Sequence, residues 1–315
     1  KGVVACRLRS GMQDKGVRGE GGAGCIGSTR ATRLAEDNDC GVVDDWYLGT
    51  RENRDGGVAF YDRSVLDDDL PTDVDVVFHL AALSSYAMHE EEPRRGARVN
   101  VEGFVNVVEQ ARQDGCDTVV YASTSSIYGS RTEPSPEDMD VAVNAGYEAS
   151  KLARERYAEY FSNHYGMSLS GLRFFSVYQG YGGAEEHKGE YANVIAQFAD
   201  DIVNGESPVL YGDGTQTRDF THVSDIVSGI ELAAEHRLDG VYNVGTGERY
   251  SFNEVVDLLN AELGTNVEAE YVENPIPESV YVHDTCADYS KLNAATGWEP
   301  AIDFETGIEL VCSPY

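Results

Sequence analysis

Lysine is nearly absent from this chain. Five lysines (Lys1, Lys15, Lys151, Lys188, Lys291) stand among 24 basic residues, against 55 acidic ones, so 315 residues carry a net charge of -31. A surface this negative repels phosphate backbones, and no nucleic acid is expected as a partner. The acid is dispersed rather than gathered in a tail. That pattern predicts adaptation to concentrated salt, where a Debye length of ~3 Å at 1 M screens the self-repulsion. Long apolar runs are missing too: none approaches the roughly 18 residues of a spanning helix, and the first twenty residues show no signal-peptide core. A cytoplasmic protein with no membrane contact is expected. Proline is scarce, and the 6 cysteines form no C-x-x-C pair and stand near no histidine cluster. These absences argue against collagen-like, disulfide-framework and zinc-finger readings, and predict reduced, structural cysteines and no metal.

What is present is a globular composition, 41% hydrophobic and 25% charged, long enough for one large domain or two modest ones. Apolar runs at Cys40 to Val43, Val74 to Leu80, Thr118 to Ala122 and Leu169 to Phe175 read as strands. Between them Cys25 to Glu36, Val99 to Gln113 and Tyr147 to Tyr165 carry helical spacing. Such alternation predicts an α/β fold with a doubly wound parallel sheet. Between Gly180 and Gly214 the alternation breaks into a second, smaller unit, and Gly240 to Gly245 returns as a strand of the first sheet. The boundaries expected are 1–179 with 220–250 for the first unit, and 180–219 with 251–315 for the second. Asn253 to Leu263 is a helix and the remainder irregular. Two features break the local rules. Asp14 to Glu20 is polar and glycine-rich where a buried strand should precede a glycine loop. Arg30 lies four residues from both Ile26 and Leu34, on what should be the buried stripe of the first helix.

Gly21-Gly-Ala-Gly-Cys-Ile-Gly27 puts glycines where a tight turn, close approach to a pyrophosphate and helix-strand packing each require a missing side chain. The helix opening at Cys25 would aim free N–H groups at phosphates. Asp44 ends the next strand twenty residues after Gly24, where a carboxylate accepts from both ribose hydroxyls and repels a 2'-phosphate, so NAD is expected rather than NADP. In Tyr147-Glu-Ala-Ser-Lys151 the phenol and ammonium share a helix face, and the positive charge would lower the pKa of a phenol otherwise too weakly acidic to act as a base. Ala122-Ser-Thr-Ser-Ser-Ile-Tyr-Gly129 follows a strand, so its hydroxyls should cluster at the carboxyl edge of the sheet. A hydroxyl from Thr124 could share the proton being moved.

In this order the motifs resemble the extended short-chain dehydrogenase family, NAD-dependent sugar-nucleotide epimerases and dehydratases on a Rossmann fold with a smaller carboxyl-terminal substrate domain. Phe78-His-Leu-Ala-Ala82, Asn100-Val-Glu-Gly103, Leu172-Arg-Phe-Phe175, Tyr211 to Phe220 with Val223 and Asp225, and Asn243-Val-Gly-Thr-Gly247 extend the match over nearly all of the chain after about residue 20.

The resemblance implies Tyr147 as base, Lys151 as its partner and ribose ligand, and Thr124 as the hydroxyl on the sugar oxygen. It implies cofactor contacts at Gly21, Gly24, Cys25, Ile26, Gly27, Asp44, Asp45, Ser64, Val65, Leu80, Ala81, Ala82 and Asn100. For the substrate it implies Thr124, Ser125, Ser176, Asn193, Tyr211 near the base, and Arg218 on the diphosphate. Glu20, Cys25, Ser176 and Pro277-Glu-Ser-Val280 depart from the usual pattern, which bears on substrate identity more than on reaction type. Members that eliminate water or decarboxylate a sugar acid place a carboxylate just after the active-site Thr. Ser125 and Ser126 stand there instead. Epimerisation at C4 of a UDP-glucose/UDP-galactose type hexose through a 4-keto intermediate is therefore the expected activity, in a homodimer. Another NAD-dependent sugar-nucleotide enzyme, such as a dehydratase or reductase, and a non-catalytic NAD-binding protein are the alternatives.

Overall fold

A computed structural model describes residues 3–4, 17–20, 26–27, 40–47, 49, 58–181 and 186–315. Its centre is a sheet in the order β1 (Val3–Val4), β2 (Val17–Glu20), then β5 (Val76–His79), β6 (Thr118–Ala122), β7 (Ser168–Phe174) and β12 (Gly240–Val244). From β2 to β12 every neighbouring pair is parallel. A parallel pair β3 (Cys40–Asp44) and β4 (Ala59–Asp62) packs beside β2. The chain therefore leaves β2 toward β3 on one side and β5 on the other, the arrangement that opens a ligand crevice at the carboxyl edge.

Continuous apolar runs explain the central strands: β5 and β6 are buried along their whole length. Val17–Glu20, the described part of the polar stretch before the glycine loop, is a strand nonetheless, a correction to the sequence reading. Val17↔Val76 through Glu20↔His79 form a parallel ladder, and strand preference depends on such a partner more than on side-chain polarity. Of the first helix only Ile26 and Gly27 are described, so Arg30 lies outside the described residues.

Beyond the sheet, β8 (Val177–Tyr178) pairs with β11 (Thr221–His222) and β9 (Val209–Tyr211) with β14 (Glu270–Val272), both in parallel, while β10 (Thr217–Arg218) runs antiparallel to β13 (Tyr250–Ser251). A separate apolar core joins the helices Val194–Asn204, Phe252–Leu263 and Phe304–Cys312. The last of these, like Ser290–Thr296, falls in the stretch expected to be irregular. Asp303 caps it by accepting from Thr306 N at 2.8 Å, and Phe304, Ile308, Val311 and Cys312 bury one face. Cys116, Cys286 and Cys312 are buried free thiols. Among the described residues no helix is long and apolar enough to cross a membrane, and no three metal-ligating side chains converge.

Candidate active site

The carboxyl ends of β5, β6 and β7 and the start of the helix Gly146–Tyr165 open onto one cavity of about 530 Å³. Thr124 is the residue where the chain leaves β6. Its Oγ1 accepts from Ser126 N at 3.2 Å, capping the single turn Ser125–Tyr128 and fixing the hydroxyl at the strand end. Opposite it, Glu148 closes the first turn of the long helix: its Oε2 accepts from Asn144 N at 2.8 Å and Ala145 N at 3.2 Å. That cap sets where Tyr147 emerges.

Tyr147 and Lys151 do share one face, with the ammonium 5.8 Å from the phenol ring. Lys151 Nζ donates to the Ala122 carbonyl at 2.9 Å, which pins it to the end of β6. The acidity of the phenol is set otherwise than the spacing suggests. Burial raises its pKa above the ordinary 10.0, opposed by the Thr124 hydroxyl beside it and by the charge of Arg154. Arg154 is wholly buried, donating to the carbonyls of Asn100 at 2.6 Å and Ala81 at 2.7 Å.

Behind the phenol lies a polar cluster that spacing did not reveal. Asn100 accepts from Leu83 N at 2.7 Å through Oδ1, while its Nδ2 stands 3.0 Å from His89 Nε2 and donates to Ser150 Oγ at 2.9 Å. Ser150 Oγ donates to the Tyr147 carbonyl at 2.7 Å. The His89 ring packs edge-on to the Tyr147 ring at 5.7 Å. It fits because residue 96 is glycine: a Cβ at Gly96 would collide with the imidazole. A second buried group lies behind Thr124. Ser123 Oγ donates to Glu155 Oε1 at 2.5 Å, and Arg173 holds both oxygens of that carboxylate at 2.9 and 2.8 Å.

Arg218 also lines the cavity; its NH1 donates to the Thr217 and His283 carbonyls, each at 2.8 Å, with its guanidinium 5.6 Å from the rings of Phe252 and Tyr281. The adjacent Asp219 is buried and accepts from Thr246 N at 2.8 Å and from Gly247 N and Ala287 N at 2.9 Å. It ties β12, the 284–287 segment and Arg218 into one frame.

The donor set along the sheet edge fits a dinucleotide. Asp44 is buried at the end of β3 and accepts from Trp46 N at 2.8 Å. Ser64 and Val65 sit in a loop held by Asn106, which donates to the Val65 carbonyl at 2.8 Å. Leu80 and Ala82 line the cavity beside Lys151. Gly21, Gly24 and Cys25 lie outside the described residues.

Of the expected site residues, Ile26, Gly27, Leu80, Ala82, Thr124, Ser125, Tyr147, Lys151, Ser176, Asn193 and Arg218 meet at this cavity. Ala81 and Asn100 are packed behind it. Asp44, Asp45, Ser64, Val65 and Tyr211 are not among its lining residues; Asp45 is exposed, accepting from Tyr47 N at 3.2 Å, and Tyr211 is on β9. Tyr86, Met88, Lys188, Tyr191 and Tyr281 line the cavity without having been anticipated. Lys188 had a signal, since lysine is so rare here.

Residues 20–245 match the model of the NAD dependent epimerase/dehydratase family. The chain is 34% identical over 302 residues to a putative UDP-glucose 4-epimerase of Methanocaldococcus jannaschii, covering 92% of this chain and 95% of that protein. Two solved structures superpose closely. The UDP-glucose 4-epimerase of Thermotoga maritima with UDP-glucose has a TM-score of 0.85 at 30% identity, covering 93% of this chain and 96% of that one. That of Thermus thermophilus with NAD scores 0.83 at 31% identity with the same coverage. Another chemistry occurs at similar distance: a UDP-N-acetyl-alpha-D-glucosaminuronate decarboxylase of Bacillus cytotoxicus is 31% identical over 310 residues, covering 92% of this chain and 94% of that protein.

Proposed function

The chain belongs to the NAD dependent epimerase/dehydratase family, and from that premise we propose that it inverts C4 of a nucleotide-linked hexose, as in the interconversion of UDP-glucose and UDP-galactose. NAD, its cofactor, supplies the hydride acceptor and donor for the sugar carbon. Tyr147 takes the proton of the C4 hydroxyl as hydride leaves and returns it when the sugar is reduced on its other face. The Thr124 hydroxyl bonds the same oxygen, and Lys151, anchored on the Ala122 carbonyl, holds positive charge near the phenol. Arg218 matches the diphosphate with two N–H groups.

One observation carries the choice of reaction. Among the described residues lining the cavity, the one carboxylate is Glu148, and it is engaged in capping the long helix. Eliminating water needs a free acid or base beside the sugar; moving one proton at one oxygen needs only the phenol. The test is to incubate the protein with NAD and UDP-glucose in molar KCl and follow the sugar by NMR. UDP-galactose should accumulate to equilibrium. A 4-keto-6-deoxy product, or a single oxidation that stops, would refute C4 epimerisation.

A further inference from the structure

The helix that carries Tyr147 does little to set the angle of its ring. Helical side chains lean toward the amino terminus and rest on the preceding turn, but Tyr147 is the second residue of Gly146–Tyr165 and has no turn before it. The last torsion of a phenol is also soft. Its orientation must therefore come from neighbours elsewhere in the chain. Among the described residues one aromatic ring lies against it, that of His89, at 5.7 Å and 65°.

The imidazole is itself tightly held. Ser85 caps the helix Tyr86–Glu91 by accepting from Met88 N at 3.3 Å, and His89 is 2% exposed on that helix. The Asn100 amide is oriented by the Leu83 backbone, with Oδ1 on the N–H at 2.7 Å and Nδ2 on the carbonyl at 3.0 Å, so it turns an N–H toward His89 and Nε2 is the acceptor. Two glycines make room for the ring. A Cβ at Gly96 would collide with it, and one at Gly146, the residue before the base, would rest 3.6 Å from Nδ1. Aromatic pairs at such separations prefer tilted, edge-to-face angles, so a fixed imidazole restrains the phenol. We propose that His89 is a positioning residue for the reaction, its ring setting the angle at which the Tyr147 hydroxyl meets Thr124 and the sugar oxygen. His89 does not line the cavity, so it acts through the base alone. The inference rests on the C4-epimerase reading with Tyr147 as its base, and adds what aims that base.

The test gives UDP-glucose to the NAD-loaded full chain and follows the product by NMR, as kcat per bound NAD and as KM, across pH. His89→Leu fills the space without a ring. It should lower kcat by ~10-fold or more, as expected for a misplaced reacting group, while KM and NAD affinity stay within about twofold. Its ascending pH limb should move to higher pH, because a displaced phenol loses the Thr124 hydroxyl that lowers its pKa. Lys151, Arg154 and Glu148, the charged groups acting on the phenol, sit on its own helix and are untouched by the change. Gly96→Ala, outside the cavity, pushes on the imidazole and should shift the limb the same way. His89→Phe restores a ring and strands no donor, since both hydrogens of Asn100 Nδ2 keep the Leu83 carbonyl and Ser150 Oγ, so it should recover most of kcat. Normal kcat and an unmoved limb in His89→Leu overturn the proposal, as does a loss of activity that only tracks NAD content, which marks a structural role. If His89→Leu does not fold, an unmoved limb in Gly96→Ala overturns it. A wild-type product other than UDP-galactose whose formation still falls in His89→Leu would refute the C4 reading and leave the positioning role standing.

Discussion

Replacing Glu155 by Gln should cost the protein a large part of its stability. The carboxylate is 4% exposed and its partner Arg173 5% exposed, joined by two hydrogen bonds and a third from Ser123. Gln keeps the shape but leaves the guanidinium buried without a countercharge, a loss of about 3 to 5 kcal/mol when one partner of a buried pair is removed. A second cavity of about 950 Å³ borders both residues. Water entering it solvates the stranded charge in part, which points to the lower end, about 3 kcal/mol. Against a total of roughly 5 to 15 kcal/mol that is a severe lesion. Guanidinium denaturation at constant pH and ionic strength measures it. The double variant Glu155→Gln, Arg173→Gln removes the stranded charge and should cost about 2 kcal/mol less than the two single variants added together. A single-variant cost under about 1 kcal/mol, or an additive cycle, would refute the reasoning and mean that water already screens the pair.

Tyr147→Phe should lower turnover by ~10²-fold or more while NAD binding holds, because it deletes the proton acceptor and keeps the ring; near-normal turnover would point to another base. Thr124 lowers the phenol pKa that burial raises, so Thr124→Ala should move the ascending limb of the pH–rate profile to higher pH, and a downward shift would contradict the assignment. Asp44 should make NAD bind more tightly than NADP by calorimetry; equal affinities would remove its ribose role. The unfolding midpoint should rise from 0.1 M to several molar KCl as ~10 Å of Debye length shrinks toward ~3 Å at 1 M, and a flat or falling midpoint would leave the acidic composition without a halophilic explanation. A homodimer through the long helix should give twice 34.4 kDa by light scattering in high salt. Phe104, Val108 and Phe161 are buried within the chain, while Tyr157, Tyr160 and Tyr165 are exposed; a mass near 34.4 kDa would count against the dimer.

The parts of the fold legible in the sequence are those where one local signal suffices. Thr118–Ala122 is a strand buried at every position, and Tyr147 to Tyr165 keeps helical spacing up to a glycine in the left-handed region at Gly166. Val17–Glu20 was illegible because its partner strand, not its side chains, makes it a strand. Phe304–Cys312 carries a cap at Asp303 and an apolar stripe that are both local signals of a helix. In the site, the proximity of Tyr147 to Lys151 follows from spacing alone. The direction of the phenol shift does not, since it depends on how deeply the ring is covered. Lys188 and Tyr281 reach the cavity from segments whose placement only the tertiary structure decides.

The contact between His89 and Gly96 couples two positions that any redesign or natural drift must change in a set order. A side chain gained at 96 while His89 is present collides with the imidazole that packs on the Tyr147 ring and stands beside Asn100. Shrinking residue 89 first opens the space, and a larger residue at 96 can then refill it. One order avoids the collision and the other passes through it, so the two sites should be randomised together, never one at a time.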